Sequence, residues 1–133
     1  MSESATHIPS NIKLHQRSRL LEISFESGET FQLPCEYLRV HSPSAEVRGH
    51  GVGQEVLQLD KHNVNITAIE PVGNYAVKLV FDDSHSSGLF SWRYLYDLGS
   101  ERVTKWQNYL KLLNEAGHSR QAQDNDHYLM GNT

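Results

Sequence analysis

"LLEISFESGETFQLPCEYLRV", residues 20 to 40, alternates apolar and polar side chains, breaks at a Ser-Gly pair, alternates again and stops at a proline. Leu21, Ile23 and Phe25 share one face of a chain with period two, so residues 20 to 25 read as a half-buried strand. "ESGE" turns around Gly28, and "TFQLP" continues as the next strand up to Pro34, which makes a hairpin. "CEYLRV", residues 35 to 40, is short enough to be a single helical turn.

Upstream, "IKLH" (12 to 15) reads as a further strand. Downstream, "NITAIEPVG" (65 to 73) and "YAVKLVF" (75 to 81) flank Gly73 and Asn74, with Tyr75, Val77, Leu79 and Phe81 in strand alternation. "GLFSW" (88 to 92) returns as a hairpin partner across "DDSHSS", and "WRYLYDLG" begins a helix that closes at Gly99. Ser100 then serves as the N-cap of a last helix whose inner face carries Val103, Trp106, Leu110 and Leu113, with Gly117 as its C′ residue. The expected fold is α+β: a small, mostly antiparallel β-sheet domain with a short helix and a C-terminal amphipathic helix. Residues 11 to 117 form the one domain. Residues 1 to 10 and 118 to 133 lack periodicity and are expected to be flexible tails.

The 133 residues suit a single hydrophobic core, and 38% apolar with 21% charged residues is the composition of a folded domain rather than a disordered chain. No apolar run reaches the ~18 residues that cross a bilayer, and "MSESATHIPSN" has no basic or apolar signal region. With Cys35 the sole cysteine, no internal disulfide forms, and the expected compartment is the cytoplasm. A formal net charge of -4 argues against nucleic acid as the partner. Lys13, His15, Arg17 and Arg19 form the one basic cluster, read as a solvated strand edge and turn.

The long connection "LRVHSPSAEVRGHG", residues 38 to 51, invites a metal reading. A structural zinc site takes four ligands, usually with paired cysteines. His41, His50, His85 and Cys35 are the available ligands, yet no two of the histidines stand at i, i+2 or i, i+4. "GHGVG" (49 to 53) lacks the Lys-Ser/Thr end of a phosphate loop. Cys35 reads as a small packing residue, and the alternative is a thiol activated at a helix start. Asp83, His85 and Ser86 have the residue types of a hydrolytic triad, but neighbours on one turn rarely converge in the required geometry. Arg39 is expected either in a carboxylate pair with Asp82, Asp83 or Asp97, or facing a ligand. Phe90 and Trp92 read as core, while Tyr94 and Tyr96 stand equally for core and for partner contact.

"LPCEYLRVHSPSAEV" and "FDDSHSSGLFSWRYLYDLG" together resemble the gamma-butyrobetaine hydroxylase-like N-terminal domain family, in a stand-alone, bacterial-type form. The likeness runs from about Lys13 to Gly99 and rests on L-P-x-x-x-L-R and D-x-H-x-S-G-x-[FY]-S-W. In the hydroxylases the resemblance implies a C-x-C-x-x-C cluster and a histidine that hold zinc. Those positions here are Ser42, Ser44, Val47 and His85, so the resemblance implies a degenerate site with no metal and no cofactor. The oxygenase chemistry of those proteins belongs to a separate iron domain. No histidine here is followed two residues later by Asp or Glu, as its ligand triad requires. No catalytic residue is therefore expected. The resemblance implies an interaction or accessory module with an unknown protein partner, linked to iron-sulfur or other cofactor assembly or to an oxygenase. Its candidate contacts are Arg39, His41, His85, Tyr94 and Tyr96. The alternative is a metal-binding or metal-transfer protein using His41, His50, His85 and Cys35.

Overall fold

A computed structural model of the chain describes residues 7–44, 57–86 and 88–130. Two antiparallel three-stranded sheets carry the fold, each in sequential order. The first contains β1 (Pro9–His15), β2 (Leu20–Phe25) and β3 (Thr30–Pro34); the second contains β4 (Ile66–Val72), β5 (Ala76–Phe81) and β6 (Leu89–Ser91). Among the described residues, three α-helices accompany the sheets: α1 (Cys35–Val40), α2 (Trp92–Ser100) and α3 (Arg102–Glu115). The class is α+β, as expected.

The hairpin β2–β3 shows how the pattern folds. Leu21 faces Leu33 and Ile23 faces Phe31 across the ladder, and Leu21, Ile23 and Leu33 are fully buried. Gly28 turns the chain at φ +110°, a conformation that side chains rarely adopt. Pro34 cannot donate to a ladder, so the strand ends and α1 begins directly after it. All six residues of α1 are buried, including Glu36 and Arg39. Tyr37 at its centre donates its hydroxyl to the carbonyl of Leu98 in α2 at 2.6 Å, tying the first half of the chain to the second. Trp106 of α3 closes the same core, edge-on to the Tyr37 ring. No helix among the described residues is long and apolar enough to cross a membrane.

Several details depart from the sequence reading. Gly99 does not close α2, which runs on through Ser100. A Cβ at Gly99 would collide with the ring of Phe31, so this glycine serves close packing rather than a helix end. Ser100 therefore does not cap the last helix, and its hydroxyl donates instead to the Asp97 carbonyl at 3.3 Å. Glu101, at φ −110° and ψ 20°, ends α2 and opens α3. Gly117 does stand just past α3, at φ +80°. Tyr75 precedes β5 and is 57% exposed, while Val77, Leu79 and Phe81 are buried. Pro9 and Ser10 belong to β1 rather than to a tail.

Residues 118–130 lie in the segment expected to be a flexible tail. They return across the domain, Asp126–Leu129 form a 3₁₀ helix, and Leu129 is 1% exposed. Instead of an apolar stripe, polar contacts and one buried leucine hold the segment: Arg120 is paired with Glu36 of α1 and with Asp126, Arg102 donates to the Tyr128 carbonyl, and Asn125 donates to the Ser18 carbonyl.

Candidate functional site: a serine-histidine cluster between two loops

The turn that leaves α1 carries His41, Ser42 and Ser44, and the turn after β5 carries Asp83 and His85. The two turns meet. Ser42 Oγ lies 2.9 Å and Ser44 Oγ 3.2 Å from His85 Nε2, and all three residues are buried. The Ser44 backbone N–H donates to Ser42 Oγ at 3.4 Å. Ser42 thereby accepts one hydrogen bond and can donate its own proton to the imidazole.

Local structure aims His85 at this position. The Phe81 N–H donates to the His85 carbonyl at 2.9 Å, closing a tight turn in which Ser84 sits at φ +72°. The backbone N–H of His85 donates to Asp83 Oδ1 at 3.3 Å. Gly88 lets the other loop approach: a Cβ there would collide with Ser42 Oγ and stand 3.1 Å from Cδ of Pro43. The glycine of the S-G pair is thus required by contact across the cluster.

Beside the cluster, Arg39 Nε donates to Asp83 Oδ2 at 2.9 Å, and Lys61 Nζ donates to the same oxygen at 2.7 Å. Asp83 is the carboxylate mate of Arg39. Asp82 instead accepts from the Asn65 backbone N–H, and Asp97 accepts from Arg93. Partial burial alone would raise the Asp83 carboxyl, but hydrogen bonds and charge from Lys61 and Arg39 outweigh it and hold it below its ordinary range. Asp83 meets His85 through the backbone rather than the ring, so the Asp83, His85 and Ser86 set does not form a triad.

The other candidates are held by intramolecular contacts. His41 Nδ1 donates to the Tyr37 carbonyl at 2.9 Å, and its ring lies 4.8 Å from that of Tyr37. Burial pushes its pKa down to about 4, against the opposing pull of that backbone bond, so the imidazole is neutral at pH 7. Tyr94 donates its hydroxyl to the His41 carbonyl at 2.6 Å, and Tyr96 donates to Glu29 Oε2 at 2.7 Å. Phe90 is fully buried, and Trp92 is partly buried with its indole N–H on the Asn74 carbonyl. Cys35 is fully buried beside Asn65 Oδ1, and desolvation pushes its thiol up to about 12. It keeps its proton at neutral pH and is not an activated nucleophile. Val47 and His50 lie outside the described residues. Lys61 and Gly88 are the members of this region that periodicity does not reveal. Gly88 stands inside the second motif, but Lys61 in "LDKHN" carries no signal of its distant carboxylate.

The chain belongs to the gamma-butyrobetaine hydroxylase-like, N-terminal family, whose model matches residues 12–96. No curated protein matches it. Among solved structures, one determined by NMR in solution shares 57% identity, covering 90% of this chain and 89% of that one, with a TM-score of 0.76. A second NMR structure shares 50% identity over 88% of this chain and 92% of that one, with a TM-score of 0.75. A crystal structure of a DUF971-family protein of unknown function from Acidithiobacillus ferrooxidans shares 35% identity over 75% of this chain and all (100%) of that one, with a TM-score of 0.61.

The family resemblance implies zinc at positions 42, 44, 47 and 85, and the residues present do not fit it. One imidazole and two neutral hydroxyls replace the thiolate-rich set that such a site takes. Among the described residues, no three His, Cys, Asp or Glu side chains are grouped to hold a metal ion.

Proposed function

We propose that this domain is a non-catalytic interaction or accessory module, in which hydrogen bonds have taken over the loop-joining role of a zinc ion. The contact of Ser42 and Ser44 with His85 carries this reading, because it joins the loops from α1 and β5 without a charged ligand set. The titratable groups point the same way. Burial holds Cys35 protonated and His41 neutral, and neither stands as an acid, base or nucleophile tuned for a reaction near pH 7. A link to iron-sulfur or other cofactor assembly, or to an oxygenase partner, rests on the company that the family keeps and is an analogy of domain context.

The test is metal content and chelator response of protein purified without a histidine tag. The module reading expects well under one zinc or iron per chain and an unchanged melting temperature in chelator. Structural zinc contributes on the order of 10 kcal/mol to folding where it is present, so its removal is readily seen. Stoichiometric metal with unfolding in chelator would establish the metal-binding reading instead.

A further inference from the structure

Past Gly117 the chain leaves α3 and lays residues 118–130 back over α1, α3 and β3 as a strap. Its attachment is concentrated in a few side chains. Arg120 donates from Nε and Nη2 to the two carboxylate oxygens of Glu36 at 2.7 and 2.6 Å, and from Nη1 and Nη2 to Asp126 at 2.9 and 2.8 Å. Its guanidinium carbon lies 4.7 Å from the centre of the Trp106 ring. Leu129 is buried, while His118, Ser119, Gln121, Ala122, Asp124 and His127 are exposed.

A planar guanidinium gripped two-fold by one carboxylate and stacked on an indole is the geometry that separates arginine from lysine. The strap leaves space beside its slot. At the root of the strap a cleft of about 90 Å³ lies between Glu36, Asp60, His62, Tyr109, His118 and Arg120. An occupant that also filled the cleft would make contacts that the strap does not.

We propose that the slot formed by Glu36 and Trp106 is an arginine-reading site, occupied in cis by Arg120, and that an extended arginine-bearing segment of a partner protein takes it over by displacing the strap. This gives the partner's chemistry within the module reading and rests on that reading. The strap holds its place by tethering, since a short linker presents it at an effective concentration in the millimolar range. A free segment competes by supplying the contacts that the strap lacks.

The probe is a capped peptide of residues 118–130, titrated into the full chain carrying Arg120→Ala, which empties the slot. The peptide should bind this chain, bind wild type more weakly because its own Arg120 competes, and lose at least tenfold in affinity when its arginine is replaced by lysine. Absence of binding to a folded Arg120→Ala chain, or equal binding of the two peptides, overturns the proposal. Should that variant fail to fold, hydrogen exchange on the wild-type chain decides. Amides 118–130 should exchange ahead of β2 and β5, and faster still with the arginine peptide but not the lysine one. A strap that exchanges only together with β2 and β5 overturns the proposal. Stoichiometric zinc would sink the module reading without altering any of these peptide results.

Discussion

Ser42 and His85 stand 43 residues apart in sequence, yet Ser42 Oγ lies 2.9 Å from His85 Nε2 in the interior. The contact joins the turn after α1 to the turn after β5, and Gly88 leaves room for it. Ser44 bonds to both of them, so removing either partner takes away one of the other's hydrogen bonds in the interior and leaves the rest of the cluster in place.

That coupling is measurable. Ser42→Ala and His85→Ala should each cost about 1–3 kcal/mol in denaturant unfolding, the range for loss of a hydrogen bond to a buried polar group. The double variant should cost less than the sum by about 1 kcal/mol, as contacting residues do. Strict additivity would show that the hydroxyl and the ring do not interact in solution.

Asp83 neutralises a buried arginine, and its other cation is nearer the surface. Asp83→Asn should cost about 3 kcal/mol, because it leaves the Arg39 guanidinium without its counter-charge. Lys61→Ala, with the lysine side chain 21% exposed, should cost under about 1 kcal/mol. Equal losses for the two variants in urea titrations would contradict this ranking.

The first sheet, α1 and the antiparallel class were legible because their signals are local. Alternation in residues 20–25 and 30–34 and the stop at Pro34 give β2, β3 and α1 their observed bounds. The misreadings arise where a distant residue decides. Gly99 looks like a helix end until Phe31 presses on it, and only then does Ser100 lose its capping role. Residues 118–130 carry no apolar period, and their order depends on Glu36, a residue 84 positions away from Arg120. The meeting of Ser42 and Ser44 with His85 followed from two family motifs, whereas the pairing of Lys61 with Asp83 had no signal in the sequence.

Acid should weaken the fold in two windows. The pKa of His41 falls from 6.5 in the unfolded chain to about 4 in the fold, so below pH 6.5 the unfolded chain binds the extra proton. Stability therefore declines from pH 6.5 toward 4, and His41→Asn, which can keep a donor near the Tyr37 carbonyl, should flatten that part of a melting-temperature profile. Asp83 and Asp126 have pKa values held below the ordinary 3.8, so their contribution is complete above that pH and is lost as pH falls through the lower folded values. A wild-type profile level from pH 6.5 to 4 would contradict a partly buried, neutral His41.

The most direct measurement restores the ligands that the resemblance implies have been lost. In a chain carrying Ser42→Cys, Ser44→Cys and Val47→Cys, zinc should bind at one per chain, with sulfur ligands at ~2.3 Å and an imidazole nitrogen at ~2.0 Å in X-ray absorption. It should also raise the melting temperature, and the further change His85→Ala should sharply weaken the binding, by removing one of four protein ligands. The account predicts zinc capture that depends on His85. A triple variant that binds no zinc, or binds it equally well without His85, would contradict the claim that hydrogen bonds here occupy the place of a zinc site.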